Sequence, residues 1–451
     1  MNDMDKVDKI NKIEIKLPKD AETVITNLEK NGFKAYIVGG MLRDAMLGKT
    51  AHDIDITTNA KPCEVIKIFK THYTVVLTGI RYKTVTVIIK GNPVEVTTFR
   101  SEQNYTDGRR PEKVVCEEKL ENDLKRRDFT VNAMAYNHSD GLIDLFKGQD
   151  DLQNKIIRTV GSAYQRFGED KLRMLRAIRF CVQLNFTMDE DTKDAVTKLS
   201  NTIKVVSSER IAQELNKIML CDKPSKAFLL MHETGLLKHI LPQIDAMYGF
   251  DQQNPYHKKD LFFHTMDVVD NCEKDPVLRL AALFHDVGKL YTKTVDEKGV
   301  AHFYGHYEKS CEIAKKALQD LKYSNETIKT VSNLTLKHMI QPNQITEKGI
   351  RRLTAFLGED KIDLLIKLQR ADSKATIIGD SEVFAQKVAK VLSEKNTFSM
   401  NNLELNGNDL IKLGYEGVTI GQIKKYLFER VLDEPWLNQR DTLIKIVKEK
   451  F

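Results

Sequence analysis

The chain has 451 residues, beyond the ~250–300 at which a single hydrophobic core stops growing, so at least two domains are expected. Seventy Lys and Arg against 64 Asp and Glu leave a net charge of +6, and 30% charged beside 41% hydrophobic residues exclude wholesale disorder. Apolar runs such as Leu280–Phe284 and Val85–Ile89 fall far short of the ~20 residues that cross a bilayer, which excludes a spanning helix.

The opening segment, MNDMDKVDKINKIEIK, alternates charge with isolated apolar side chains and lacks the apolar stretch that secretion requires, so a cytoplasmic location is expected. Cys63, Cys116, Cys181, Cys221, Cys272 and Cys311 contain no CxxC pair and read as reduced thiols. Short β-branched and aromatic runs at Ala35–Val38, Tyr73–Leu77, Lys83–Lys90 and Pro93–Phe99, bounded by Gly, Asn or Pro, predict strands. Gly39-Gly40 follows the first of these and precedes a helical pattern, a place where bare backbone N–H groups cradle phosphate. Arg43 lies one turn into that helix and either reaches a triphosphate or pairs with Asp44 or Asp53.

In His52-Asp53-Ile54-Asp55-Ile56 the carboxylates alternate with apolar residues, and the two-residue period of a strand puts Asp53 and Asp55 on one face. Two converging carboxylates repel unless a divalent cation lies between them, and hard oxygen ligands suit Mg²⁺ bridging to phosphates. The plainer reading is a solvated strand edge. Glu95, in PVEVTTF, is a candidate third carboxylate. The polar segment Ser101–Leu124, with Gly-Arg-Arg-Pro inside it, predicts a mobile loop.

After Asp150 apolar residues recur at three and four, and strand signals nearly vanish. In EDKLRMLRAIRF, Leu172, Leu175 and Ile178 form a stripe that leaves Glu169, Asp170, Arg173 and Arg176 on another side of one helix. Surface ion pairs explain that charge pattern. So does base recognition: cytosine and adenine each present an amine donor beside a ring-nitrogen acceptor, which an aspartate acceptor and an arginine donor complement. Ser207–Leu220 predicts a further helix with Ser208 as its N-cap. His264, His285-Asp286 at the end of an apolar helix closed by Gly288, and Asp372 supply imidazoles and carboxylates suited to a divalent metal, with His306 and His338 available for a second ion.

GGMLRDAMLGKTAHDID, followed by RRDFTVNAMAYN and EDKLRMLRAIRF, resembles the bacterial tRNA nucleotidyltransferases that build the 3′-terminal CCA, over roughly residues 30–260. Poly(A) polymerases share the same head motifs. The resemblance implies an α+β chain: a polymerase-β-like head with a mixed sheet and helices, then an all-α neck, body and tail. It also implies that Asp53 and Asp55 bind catalytic Mg²⁺, that Gly39, Gly40, Arg43, Arg127, Asp128 and Arg176 serve the nucleotide, and that Asp170 and Arg173 read its base. The loop after Arg100 is similar to a segment that helps relatives switch from C to A. The order His264, His285-Asp286, Asp372 resembles HD-type phosphohydrolases, which implies a second divalent metal centre; activity there on 3′ or 2′,3′-cyclic phosphates is expected because nucleotide addition requires a free 3′-hydroxyl.

The expected division is a catalytic head at 1–150, a neck and body at 151–260, an HD-type unit at 261–380 and an RNA-binding helical tail at 381–451. The expected partners are the tRNA 3′ end, CTP and ATP, with no membrane. Competing readings are a poly(A) polymerase, an enzyme that adds only A or only CC, and a catalytically silent RNA-binding protein.

Overall fold

A computed structural model describes residues 15–49, 53–105, 111–253, 259–341, 343–376, 381–394 and 398–451. It contains two compact units, one made of the chain to Glu214 with Leu229–Ile240, the other of Leu215–Phe228 with Leu241–Phe451.

The first unit opens with helix α1 (Lys19–Lys30), whose Ala21, Val24, Ile25 and Leu28 are buried at three- and four-residue spacing. A seven-stranded sheet follows. Its strands are β1 (Ala35–Val38), β2 (Ile54–Thr58), β3 (Thr74–Val76), β4 (Thr84–Ile89), β5 (Asn92–Thr98), β8 (Met134–Asn137) and β9 (Gly141–Asp144), in the order β3-β4-β5-β2-β1-β8-β9. The four strands expected from β-branched runs are all present. Only β2 and β5 are parallel, because helix α3 (Pro62–Phe69) and the β3–β4 pair carry the chain across before it returns. Pro62 opens α3, and Glu64 accepts the Lys61 N–H at 2.6 Å to close its first turn. Helix α2 (Gly39–Met46) begins directly at the end of β1.

The expected loop from Ser101 to Leu124 is instead an antiparallel ribbon of β6 (Arg100–Tyr105) and β7 (Pro111–Cys116), registered from Arg100 opposite Cys116 to Tyr105 opposite Pro111, followed by helix α4 (Leu120–Lys125). A two-stranded ribbon outside the main sheet satisfies itself through backbone hydrogen bonds, so the apolar alternation that marks sheet strands is missing from its sequence. Its tip, with the Gly-Arg-Arg motif, lies outside the described residues, as does His52.

Helices α5 (Gly148–Asn154), α6 (Ala163–Glu169), α7 (Leu172–Leu184) and α8 (Glu190–Leu199) complete most of this unit, with a two-residue parallel pair, β10 (Ile156–Ile157) and β11 (Thr187–Met188). The single helix expected through Glu169–Phe180 is two. Asp170 is extended (φ −139°, ψ 108°) between α6 and α7, and its Oδ1 accepts the Leu172 N–H at 3.1 Å, starting the second helix as Asp side chains do. Leu172, Leu175 and Ile178 are buried as expected, and so are Met174, Ala177, Arg179, Phe180 and Cys181, so the helix is covered on more than one side. Helix α9 (Ser208–Met219) starts at Ser208 rather than being capped by it, the Ile211 N–H reaching the Ser207 carbonyl at 3.2 Å. Helices α10 (Ser225–Glu233) and α11 (Leu237–Ile240) follow.

The second unit continues as helices α12 (Pro242–Asp245), α13 (Leu261–Asn271), α14 (Pro276–Phe284), α15 (Lys289–Thr292), α16 (His306–Asp320), α17 (Asn325–Lys337), α18 (Glu347–Leu357), α19 (Glu359–Ala375) and α20 (Ser381–Ser393), with a small ribbon of β12 (Thr294–Val295) and β13 (Ala301–His302). Asp260, Asp275, Ser324 and Thr346 cap α13, α14, α17 and α18 through their side chains. Every residue of α14 from Leu278 to Phe284 is buried, including Arg279, whose guanidinium donates to the carbonyls of Cys272, Met219 and Cys221 and so satisfies chain ends left open where helices stop. Helices α21 (Gly407–Lys412), α22 (Val418–Asp433) and α23 (Arg440–Lys450) enclose their own core of Leu403, Leu405, Leu410, Ile423, Leu427, Val431, Leu443 and Val447. Among the described residues no helix is long and apolar enough to cross a membrane, and the six cysteines are free.

Candidate functional site

In the first unit, β1 ends at Val38 and Gly39 turns the chain into α2 with φ +73°, a conformation that favours glycine. A Cβ there would lie 3.3 Å from Asp55 Oδ2 and 3.5 Å from an Arg127 guanidinium nitrogen, so the glycine lets both groups approach the turn. Asp55 sits in β2 with Asp53 just before it, on the same side of the alternation, and Ile56 is buried behind. Glu95 of β5 is the register partner of Asp55.

Burial pushes the Asp55 carboxyl up to about 6; Arg127 opposes this, while Glu95 and Asp53 add to it by like charge. A cation among these carboxylates would relieve that repulsion, and the all-oxygen set fits Mg²⁺. Among the described residues no third carboxylate, cysteine or histidine joins Asp53 and Asp55 within 4.8 Å. Glu95 thus acts on Asp55 through its charge, and the rest of an ion's shell is left to substrate and water.

Arg127 is held from behind. Asp123, fully buried, accepts from Arg127 at 3.0 Å, from Arg126 at 2.8 and 3.0 Å and from the Thr57 hydroxyl at 3.1 Å, which ties α4 to the strand that carries Asp55. Burial raises its carboxyl, but the two arginines outweigh burial and hold it at about 2. Asp128 accepts from Arg176 at 2.9 and 2.5 Å, from the Phe129 N–H at 2.9 Å and from the Asn132 amide at 3.2 Å. Despite burial, Arg176 holds it far below the carboxylate range. Arg43 is buried, donating to Asp44 at 2.8 Å and to Asn132 at 2.7 Å. The plainer of its two roles is therefore the one seen, with Arg43 bracing the segment that carries Asp128. Arg43, Arg176 and Arg179 all lie against the Phe180 ring, 5.1, 5.4 and 4.0 Å from its centroid. Buried Glu214 accepts from Arg179 at 2.5 Å.

Asp170 and Arg173 do not pair with each other. Asp170 Oδ1 accepts from Leu172 N and from Arg210 at 3.1 Å, and its Oδ2 accepts from Arg210 at 2.7 Å. With two lone-pair sites per oxygen, Oδ1 is filled and Oδ2 keeps one. Arg173 spends both Nη1 hydrogens on Glu169 (2.7 Å) and the Arg166 carbonyl (3.2 Å) and one Nη2 hydrogen on the Arg126 carbonyl (3.0 Å). Its Nε–H and one Nη2–H remain. Each residue is fixed by partners that leave a small, defined donor or acceptor capacity. Sequence reasoning missed those partners. Asp123 stands three and four residues before the arginines it holds, a legible helical spacing, whereas Arg210 lies 40 residues from Asp170 with no local signal.

The second unit gathers every histidine and aspartate expected there around Asp286. Its Oδ2 lies 3.4 Å from His264 Nε2 and 3.2 Å from His285 Nε2, and its Oδ1 lies 3.2 Å from His306 Nε2 and 3.6 Å from His338 Nε2. Asp372 Oδ1 closes the first half, 3.4 Å from His264 and 3.9 Å from His285. His264, His285 and Asp286 form one grouping within 4.8 Å, and Asp286, His306 and His338 a second. The Nδ1 atoms of His285, His306 and His338 each lie 2.7 Å from a carbonyl three residues back, of Ala282, Phe303 and Thr335. A carbonyl only accepts, so Nδ1 carries the hydrogen and the Nε2 lone pair faces the centre, as in metal-binding histidines.

Those three Nε2 atoms are buried without a hydrogen-bond partner, and lone pairs directed at a carboxylate call for a cation between them. Two three-ligand groups bridged by Asp286 fit two divalent ions. Burial lowers the basicity of His264, but Asp286 and Asp372 outweigh it and raise the imidazole to about 9. Buried Lys289 also reaches Asp286 Oδ2 at 2.7 Å and was not anticipated. Gly288 does not end its helix with a left-handed residue; its φ is −65°. It is glycine because a Cβ would lie 2.2 Å from the His306 carbonyl oxygen, so that α16 can bring His306 against the turn.

Three sequence families match the chain: one described as the poly A polymerase head domain over residues 35–158, one as a probable RNA and SrmB-binding site of polymerase A over 185–248, and the HD domain over 264–377. The CCA-adding enzyme of Leuconostoc mesenteroides is 32% identical over 432 residues, covering 95% of this chain and 96% of that one. That of Lactobacillus helveticus is 44% identical over 237 residues, 52% of this chain and 58% of its own. The crystal structure of the Bacillus stearothermophilus CCA-adding enzyme in complex with CTP superposes with a TM-score of 0.73 at 26% identity, covering 96% of this chain and 99% of that one.

Proposed function

The chain belongs to the CCA-adding enzymes, and from that premise we propose how its residues divide the work of adding C and A, from CTP and ATP, to the 3′ end of tRNA without a nucleic-acid template. The observation that carries the reading is the turn at Gly39, where the missing Cβ lets Asp55 and Arg127 both approach the start of α2. Asp53 and Asp55 are the ligands for Mg²⁺, and Gly39 and Gly40 bring backbone N–H groups to the triphosphate. Bound magnesium supplies the positive charge that favours attack by the RNA 3′-oxygen on the α-phosphate and departure of pyrophosphate. In that step the O3′–P bond forms, the bond from the α-phosphorus to the oxygen bridging to the β-phosphate breaks, pyrophosphate leaves, and the 3′-hydroxyl proton passes to solvent water. Arg127 orients the incoming ribose, while Asp128, its four acceptor sites taken by Arg176, Asn132 and the Phe129 N–H, acts as a positioning residue that ties Arg176 to the Arg43-braced Asn132 segment.

Asp170 and Arg173 select the base. The single open acceptor site on Asp170 Oδ2 suits one amine hydrogen of cytosine or adenine, and the open donors of Arg173 suit the adjacent ring nitrogen. Uracil and guanine offer the reverse pattern and would leave these groups unpaired. The division at residues 150, 260 and 380 assigns catalysis to the head, nucleotide choice and tRNA contact to the neck and body, and further RNA contact to the tail. The test is incubation with tRNAs ending before CCA, after C and after CC, each with one nucleotide at a time. C, C and A should enter in turn; equal entry of U or G would overturn base selection by this pair.

The HD unit is a phosphohydrolase that prepares RNA ends. His264, His285, Asp286 and Asp372 hold one divalent ion, and His306 and His338 with Asp286 a second. On a 2′,3′-cyclic phosphate, a water oxygen bonds to phosphorus, the P–O3′ bond breaks, and O3′ takes up the water's proton, leaving a 2′-phosphate beside a free 3′-hydroxyl. Lys289, beside Asp286, offers positive charge to the phosphoryl oxygens. Such a step supplies the hydroxyl that nucleotide addition requires. Metal content and hydrolysis of cyclic phosphates should both fall on Asp286→Ala, and unchanged hydrolysis would remove the site from consideration.

A further inference from the structure

The ribbon β12–β13 stands between α15, which carries Lys289, and α16, which begins at the metal-facing His306. Its turn is built to hold shape. Asp296 Oδ1 accepts the backbone N–H groups of Lys298 and Val300 at 2.9 Å each, and the Asp296 backbone exchanges bonds with Val300 and Gly299. The other oxygen of Asp296 lies 3.0 Å from His302 Nε2 and fixes that ring.

From here the chain alternates. Ala301 and Phe303 turn inward, Phe303 packing 6.4 Å from the Phe250 ring and 5.4 Å from the Lys289 ammonium, while His302 and Tyr304 turn outward. Their rings lie parallel within 9°, centroids 5.6 Å apart, and Tyr304 is 77% exposed. Gly305 then takes φ +72° and reverses the chain into His306, whose Nδ1 is bound to the Phe303 carbonyl at 2.7 Å. Tyr304 thus lies two residues, at most ~7 Å along the backbone, from a histidine of the metal centre, and the Phe303 carbonyl between the two outward rings holds that histidine.

Neither folding nor the head chemistry accounts for a rigid turn that orients a histidine under an almost fully exposed tyrosine. Parallel aromatic faces that remain open to solvent suit one ligand chemistry above others, the flat face of a nucleobase, and they do so for any base. We infer that His302 and Tyr304 form a stacking platform for the base of the nucleotide whose 2′,3′-cyclic phosphate is cleaved at the HD centre. The inference rests on the phosphohydrolase reading. That nucleotide is the end of an RNA or a free cyclic mononucleotide, which share the base and the phosphate.

The full chain, loaded with Mn²⁺, is assayed on three probes: an RNA ending in a 2′,3′-cyclic phosphate, the same RNA with an abasic terminal ribose, and adenosine 2′,3′-cyclic phosphate. Tyr304→Ala should raise KM about tenfold for the two probes that carry a terminal base, with kcat little changed and no effect on the abasic RNA. Tyr304→Phe, which keeps the ring, should behave as the unaltered protein. The KM of the RNA against that of the mononucleotide then identifies the source, and either supports stacking. An equal rise on abasic and base-bearing RNA, or no change in Tyr304→Ala, overturns the platform while leaving the HD reading intact. Failure of the unaltered protein to cleave any probe overturns both.

Discussion

Asp170→Asn is the sharpest perturbation of base selection, because it changes one atom's hydrogen-bonding sense and almost nothing of shape. Oδ1 already receives Leu172 N and Arg210, so the amide oxygen belongs there and the NH₂ falls at the Oδ2 position. It then meets the Arg210 nitrogen now at 2.7 Å as donor against donor, and it offers a hydrogen where the base presents its own amine hydrogens. The Arg210 bond is lost in the free protein too and cancels from kcat/KM; the bond to the base amine, worth about 1.5–3 kcal/mol, is the one lost in nucleotide addition.

CTP and ATP should lose ~10–10²-fold in kcat/KM, in parallel, since the same acceptor serves both. UTP and GTP present a carbonyl oxygen at that position and should lose much less, which narrows the discrimination. Single-turnover incorporation on a tRNA ending after C, with each nucleotide in turn, measures both. An unchanged preference for C and A, or a loss for CTP without one for ATP, would refute the argument from lone-pair sites.

Gly39→Ala should lower nucleotide incorporation at least tenfold, because the added methyl meets Asp55 Oδ2 at 3.3 Å in a left-handed turn, while the melting temperature falls only as expected for ~1–2 kcal/mol of backbone strain. Asp123 has its folded pKa depressed to about 2 from the ordinary 3.8. Its pairing therefore stabilises the head above about pH 4 and is lost as pH falls through 2, a contribution of ~2 kcal/mol; urea titrations of the native protein and Asp123→Asn between pH 7 and pH 3 should show the native protein losing more of its advantage. Arg279→Met leaves the carbonyls of Cys272, Met219 and Cys221 buried without this donor and should destabilise the second unit by about 2–4 kcal/mol, read as earlier urea unfolding of its helices.

The strand-borne acid pair was legible because a strand's two-residue period is written directly into Asp53-Ile54-Asp55-Ile56, and the HD set was legible because its ligands are rare residue types in a fixed order. Apart from Asp123, what escaped had no local signature. Arg100–Tyr105 and Pro111–Cys116 form a ribbon through backbone bonds, which polar residues make as well as apolar ones. Asp170 breaks an otherwise helical run because its side chain serves the next helix's first turn, a competition that periodicity alone does not reveal. Arg43 offers two readings, a triphosphate ligand or a partner of Asp44, and the Asp44 pairing is present, but its other partner, Asn132, lies 89 residues away and leaves no local signal. Arg210 and Glu214 reach the site only through folding of the neck helix, so their roles are visible in three dimensions and not before.

The central claim is that Asp53 and Asp55 carry nucleotide transfer, and joint replacement by alanine tests it most directly. Incorporation of C and A into tRNA lacking CCA should disappear at saturating Mg²⁺ while binding of that tRNA stays within a few-fold of the native protein. Incorporation at the native rate by the doubly substituted chain would contradict it.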